Sequence, residues 1–234
     1  MGGTRPLQRM FSGVPRRYDI INRLFTLRLD QRWRRAAARE CLSGSPRRVL
    51  DLCAGTGDLT IRLSSDKAPE TLIVGADFAL PMLALAKRKA ARAGAGPPFV
   101  AGDASRLPFR DGSFDAVGIA FGFRNLTYRN PGRDRHLAEI LRVLVPGGRL
   151  VIVESSRPRS RVMKALSDIY MKLVVSTIGG LLSGQRGAYR YLAHSAVNYY
   201  APQELAELLR ATGFSDVTWK PFIGGIASLH VAVK

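Results

Sequence analysis

The run Arg48-Val-Leu-Asp-Leu-Cys-Ala-Gly-Thr-Gly-Asp58 constrains the fold more than any other stretch of this chain. A short apolar run, Val49 to Leu52, carries a carboxylate at Asp51 and opens into two glycines. Leu59, Ile61 and Leu63 then enter a segment able to become helical. That order reads as strand, glycine turn, helix. Because glycine lacks a Cβ, Gly55 and Gly57 permit a tight turn against which a ligand can lie, facing the unpaired N–H groups of the following helix. A nucleotide-like guest suits such a turn.

Detail narrows the guest. A pyrophosphate-binding fingerprint places a third glycine three residues on, and that position here is Thr60, which disfavours an NAD-dependent reductase. Asp58 at the mouth of the turn would repel a pyrophosphate but suits a cation, and Asp51 could meet an ammonium group. Twenty residues after Gly57, the apolar run Leu72-Ile-Val-Gly-Ala ends at Asp77, where a second strand would hold a carboxylate over a ribose. A nucleoside with a cationic amino-acid tail, S-adenosylmethionine, fits all three acids. The plain alternative is an ordinary glycine turn with solvated acids.

The rest of the chain alternates as a doubly wound α/β sheet should. Phe11 to Leu29 is an amphipathic helical pattern interrupted near Pro15, and Asp30 reads as the N-cap of a second helix, Gln31 to Leu42. Both precede the first strand and are expected at the sheet's edge or over its ligand-binding rim. After Asp77 come a helix over Pro81 to Ala93, a brief strand Phe99 to Ala101, and Asp103-Ala104, placed to meet an adenine. A fourth strand, Ala116 to Ala120, leads into Phe121-Gly-Phe-Arg-Asn-Leu126, where an arginine and an asparagine sit among apolar neighbours past a strand end. They are either substrate-facing or a salt-bridged arginine and a turn asparagine.

A helix over Asp134 to Leu144, the turn Val145-Pro-Gly-Gly148 and a strand from Arg149 to Val153 ending at Glu154 follow. Val162 to Leu182 then places Leu166, Ile169, Tyr170, Leu173, Val174, Ile178 and Leu181 on one helical face, an insertion longer than a crossover needs. A helix over Pro202 to Thr212, closed by Gly213, and a strand pair, Val217 to Pro221 and Ile226 to Val233, complete the chain.

Charge bears on partners. The net charge of +18 is concentrated: residues 1–48 hold twelve basic and three acidic residues, and residues 155–190 hold seven and one. A basic face toward phospholipid or nucleic acid is one explanation; an arginine-rich proteome is the other. Cys41 and Cys53 are too few for a disulfide or zinc framework, so a reducing compartment and no metal are expected. The polar N-terminus and the interrupted apolar run Leu173 to Leu182 lead to the expectation of a cytoplasmic protein without a leader or membrane span.

Four stretches together resemble a known family: Tyr18-Asp-Ile-Ile-Asn22, Leu50-Asp-Leu-Cys-Ala-Gly-Thr-Gly-Asp58, Phe121-Gly-Phe-Arg-Asn125 and Tyr189-Arg-Tyr-Leu192. The chain is similar to class I S-adenosylmethionine-dependent methyltransferases, and more narrowly to the UbiE/MenG C-methyltransferases of ubiquinone and menaquinone biosynthesis. The resemblance implies a single Rossmann-like domain over residues 1–234, with a seven-stranded sheet whose last strand is antiparallel. It also implies a helical cap over residues 1–48 and a helical insertion over 155–200 on the substrate side. Cofactor contacts fall on Asp51, Gly55, Thr56, Gly57, Asp77, Phe78, Asp103 and Ala104, and substrate-side roles on Tyr18, Arg124 and Asn125. The substrate would be a lipid-tailed quinol, reached from an anionic membrane surface at the inner face of the cell membrane; a homodimer is left open.

On this basis Arg124 is expected to stabilise a phenolate, with Asn125 and Tyr18 on the ring oxygens. Water or His194 takes the proton. The chain departs from the family pattern at Gly187-Ala188, at His194-Ser195 and in Glu154-Ser-Ser-Arg-Pro158, which leaves the proton acceptor open. The rival classes are a nucleic-acid or small-phenol methyltransferase and a non-catalytic membrane-surface subunit. No RNA-binding module or Asn-Pro-Pro-Tyr motif is present, which disfavours nucleic acid as a partner.

Overall fold

The computed structural model describes residue 23, residues 25–178 and residues 186–234, without the side chains of residues 178, 186, 188, 189, 191 and 192. Tyr18, most of the expected first helix, the end of the insertion and the side chains of the Tyr-Arg-Tyr-Leu stretch other than Arg190 thus lie outside the described residues.

Strands β1 (Arg48–Leu52), β2 (Leu72–Asp77), β3 (Phe99–Ala101), β4 (Phe114–Ala120), β5 (Leu144–Ser155), β6 (Ser215–Phe222) and β7 (Ala227–Val233) form one sheet in the order β3-β2-β1-β4-β5-β7-β6. β1 pairs in parallel with both β2 and β4, so the chain reverses direction across the sheet there, and the strand ends on either side open a crevice. β7 runs antiparallel to β5 and β6, as the family resemblance implies.

Along β1 and β5, successive residues enter opposite layers. Leu50, Leu52, Leu150 and Ile152 face a core shared with Leu137 and Ile140 of α5 (Arg133–Val143) and Leu205 and Leu209 of α8 (Pro202–Thr212). Val49, Val151 and Val153 face the other layer, built from α1 (Leu29–Leu42) and α2 (Asp58–Asp66). Both faces are covered, which is why these strands read as continuous apolar runs. Each side chain buried this way contributes roughly 1.5–3 kcal/mol.

Helix α1 corrects the expected edge position. Trp33, Ala37, Ala38 and Cys41, spaced three or four apart, are buried on the sheet face over β4, β5 and β7. Small residues permit this approach: a Cβ on Gly118 of β4 would stand 2.9 Å from Cys41 Sγ. The helix also starts one residue before Asp30, with Arg28 at the N-cap in a left-handed conformation. Asp30 is instead buried in the first turn, accepting hydrogen bonds from Thr26 Oγ1 at 2.8 Å and Gln31 Nε2 at 2.9 Å.

Helices α3 (Leu80–Arg92) and α4 (Phe123–Thr127) follow β2 and β4. After β5, α6 (Arg161–Tyr170) passes into a π-helical segment, Met171–Ile178, and α7 (Arg186–Val197) precedes α8. Leu166 and Ile169 of α6 and Leu173 of the π-helical segment are exposed, while Val175 is buried against Phe25. The apolar stripe read from the sequence therefore looks largely outward.

Candidate active site

The turn after β1 is shaped by close backbone approaches. Gly57 is the N-cap of α2 at φ +81°, and a Cβ there would lie 2.9 Å from the Cβ of Ala86 on α3. Gly122 faces Cys53, whose Cβ would be 2.4 Å from an added Cβ, so the loops after β1 and β4 touch where the sheet reverses. Asp77, at the end of β2, locks the turn: its carboxylate accepts from Gly55 N–H at 2.9 Å and Ala79 N–H at 2.8 Å. Burial pushes its pKa up, and those backbone donors offset part of the rise.

Gly55, Thr56, Asp77, Phe78, Asp103 and Ala104 all line one crevice over the ends of β1, β2 and β3. The other two cofactor-side expectations differ. Asp51 lies below the crevice, 1 % exposed, taking the hydroxyl hydrogen bond of Thr60. Desolvation raises its pKa to about 7 against the pull of Thr60 and Arg34, so it is in no position to meet a ligand ammonium. Gly57 packs against α3 rather than lining the crevice.

Asp58 does stand at the mouth, but it is engaged by Lys89 Nζ at 2.6 Å, Gln31 Nε2 at 3.4 Å and Arg23 Nη2 at 3.5 Å. Burial raises its pKa, yet Arg34, Lys89 and Arg23 outweigh burial and hold the carboxyl below its usual range.

A second cavity of about 480 Å³ lies beside the first, beneath α6 and the π-helical segment. Trp33, Phe121, Met163, Tyr170, Val175 and Ile226 supply apolar walls. Arg124 and Ser155 supply polar atoms. Arg124 is 3 % exposed; its Nη1 donates to Glu154 Oε1 at 3.2 Å and Ser155 Oγ at 2.6 Å, and its backbone N–H donates to Glu154 Oε2 at 3.1 Å. The Nε has no hydrogen-bond partner among the described residues. A buried, charge-compensated guanidinium is thus held at the chamber wall.

Phe121 and Arg34 line both cavities, with the Arg34 guanidinium 4.9 Å from the Phe121 ring centroid. They form a shared partition across which two ligands would meet.

The substrate-side expectations separate here. Arg124 lines the chamber, whereas Asn125 lines the nucleoside crevice, because the short helix α4 points consecutive side chains in different directions. His194 is exposed on α7 and lines neither cavity, so the expected histidine proton acceptor stands away from the site. Sequence reasoning missed Trp33, Arg34, Ser155 and His136. His136 lines the crevice almost fully buried, with Nδ1 3.0 Å from the Leu126 carbonyl oxygen. Ser155 carried a signal, since it follows Glu154 at a strand end.

Among the described residues no cluster of three His, Cys, Asp or Glu side chains could hold a metal, and no helix is long and apolar enough to cross a membrane.

Comparison with known proteins adds independent information. The sequence model of the ubiE/COQ5 methyltransferase family matches residues 2–234. A demethylmenaquinone methyltransferase of Deinococcus radiodurans is 46% identical over 228 residues, covering 97% of this chain and 92% of the relative. A ubiquinone/menaquinone biosynthesis C-methyltransferase UbiE of Geobacter sulfurreducens is 40% identical, covering 96% and 87%. Among solved structures, a SAM-dependent methyltransferase of Thermotoga maritima superposes with a TM-score of 0.62 at 20% identity, covering 97% of this chain and 99% of the other, a likeness of fold.

Proposed function

The chain belongs to the ubiE/COQ5 methyltransferase family, and from that premise we propose that it methylates a ring carbon of a polyprenylated quinol, demethylmenaquinol or its ubiquinol-pathway counterpart. The observation that carries this reading is the apolar chamber with Arg124 at its wall, which shares the Phe121 and Arg34 side chains with the nucleoside crevice. S-adenosylmethionine, when bound, supplies a methyl group on a positively charged sulfur. The crevice suits it: each oxygen of the Asp77 carboxylate already accepts one backbone N–H and retains a lone pair for a ribose hydroxyl.

The chain's own residues then have distinct work. Asp77 fixes the ribose, and Asp103 with Ala104 meets the adenine. Trp33, Phe121 and Tyr170 hold the quinol ring and keep water away from it. The Arg124 guanidinium donates to the ring oxygen as negative charge develops, in surroundings where that interaction is stronger than in water. Asn125 acts from the crevice side, and Tyr18 is assigned to a ring oxygen by the family pattern alone. Because His194 stands away, the proton leaves the ring by water.

The lipid tail gives the outer surface a use. Val162, Leu166, Ile169 and Leu173 are exposed beside Arg161 and Lys172, and Leu166 also lines the chamber. This face docks on anionic lipid at the inner face of the cell membrane, without spanning it, so that the tail passes from bilayer to chamber. Residues 1–48 and 155–200 are the cap and insertion that build this entrance. Incubation with methyl-labelled S-adenosylmethionine and a panel of reduced demethylquinones, read by mass, tests the reading. Label is expected on a demethylnaphthoquinol or demethylbenzoquinol ring carbon; label on none of the panel would overturn it.

A further inference from the structure

The charge around the glycine turn does not match a site that only receives a cation. Three cationic side chains, Arg23, Arg34 and Lys89, converge with two carboxylates, Asp30 and Asp58. Asp58 is shared among Lys89, Gln31 and Arg23, and Asp30 among Thr26, Gln31 and Arg34. Asp51 sits beneath the turn, bonded to Thr60, and Asp77 and Asp103 line the same crevice as Asp58 and Arg34.

Of these three cations, Arg34 is the one that lines the crevice. Its nearest carboxylate contact is long, Nε to Asp30 Oδ2 at 3.7 Å, and that Nε has no hydrogen-bond partner among the described residues. The guanidinium carbon stands 4.9 Å from the Phe121 ring centroid, a cation–π contact that steadies the group at the crevice wall with an edge for a planar acceptor. Its side chain is 13% exposed, so little water competes for that edge.

We infer that Arg34 binds the α-carboxylate of the cofactor's methionine tail, and so sets which nucleosides the crevice accepts. The inference rests on the proposed S-adenosylmethionine reading and specifies its tail end. With the ribose on Asp77 and the sulfur toward the chamber, the tail crosses the turn after β1, where Arg34 and Asp58 stand together. The two charges of the tail then have complementary neighbours: the carboxylate goes to Arg34 and the ammonium faces Asp58.

Calorimetric titration of the full chain with three nucleosides tests this. S-adenosylhomocysteine carries both tail charges, its decarboxylated analogue lacks the carboxylate, and 5′-methylthioadenosine lacks the tail. The wild type is expected to prefer S-adenosylhomocysteine over the decarboxylated analogue by roughly ten- to hundredfold, the range of a charge-assisted pair. Arg34→Gln should lose that preference while binding the other two nucleosides as the wild type does. Arg34→Lys, which keeps the charge, should retain part of it.

Equal weakening of all three nucleosides in Arg34→Gln would make Arg34 a packing residue and overturn the inference. A wild type that binds S-adenosylhomocysteine and its decarboxylated analogue equally would overturn it without any variant. A wild type that binds none of the three would instead sink the cofactor reading on which it rests.

Discussion

Replacing Arg124 separates its part in the reaction from its part in the fold. Arg124→Ala leaves the Glu154 carboxylate fully buried without its cation. Breaking a buried pair from one side costs roughly 3–5 kcal/mol, which for a chain of this size lowers the melting temperature by on the order of 10 °C. Lost turnover in that variant alone would therefore be ambiguous. Arg124→Met combined with Glu154→Gln removes the stranded charge. The new amide oxygen can keep the Ser155 N–H, now 2.9 Å from Glu154 Oε1, while the backbone N–H of residue 124, now bonded to Oε2, loses its acceptor. One lost backbone bond costs about 1–3 kcal/mol, so the double variant should regain about half the stability lost by Arg124→Ala.

Turnover should not follow. With the guanidinium gone from the chamber, kcat is expected to stay at least roughly a hundredfold down in both variants. Affinity for S-adenosylhomocysteine should change little, since Arg124 does not line the nucleoside crevice. Thermal unfolding, calorimetry and methyl transfer on the same three proteins make the comparison. If turnover recovers in step with stability, Arg124 is a scaffold residue and the phenolate role is wrong.

Asp77→Ala should weaken S-adenosylhomocysteine binding roughly ten- to hundredfold by calorimetry, and unchanged affinity would contradict its ribose role. Asp51 gives a pH signature. Its folded pKa of about 7 stands above the ordinary value of 3.8, so between roughly pH 4 and 7 the native state keeps a proton the unfolded chain has released. Stability should therefore fall as pH rises through that window, by up to about 1.4 kcal/mol per pH unit, and Asp51→Asn should flatten the fall in urea titrations. Leu166→Glu with Ile169→Glu should reduce flotation with anionic vesicles; equal flotation with neutral and anionic lipid in the wild type would remove the membrane-docking proposal.

The fold was legible wherever local pattern decides it. Strand β3 and helix α8 begin and end where the sequence places them, because Pro202, Gly213 and the glycine-proline break before Phe99 act within a few residues. The alternating doubly wound sheet, with a second strand ending at Asp77, followed from the glycine turn and the pattern after it. What escaped depends on distant partners. Asp51 looks available to a ligand in sequence, yet it is buried beneath the turn on Thr60, and the charge of Asp58 at the mouth is shared with Lys89, 31 positions away.

The same limit explains Arg34 and Asn125. Arg34 reads as one of many arginines on a basic helix, and only the packing of α1 across the sheet face brings it against Phe121. Asn125 is adjacent to Arg124 in the chain but falls in the other cavity, because one helical step rotates the side chain by about 100°. The exposure of Leu166, Ile169 and Leu173 escaped because an apolar helical period shows that one face is apolar but not whether another element covers it.

The central claim is that a nucleoside crevice and a quinol chamber meet at the partition of Phe121 and Arg34. A crystal structure with S-adenosylhomocysteine and a short-tailed demethylquinol tests it most directly. The account expects the ribose hydroxyls on Asp77, the ring beside Arg124, and the sulfur and a ring carbon facing each other past Phe121. A nucleoside lodged away from Gly55 and Asp77, or a ring bound outside the chamber, would contradict it.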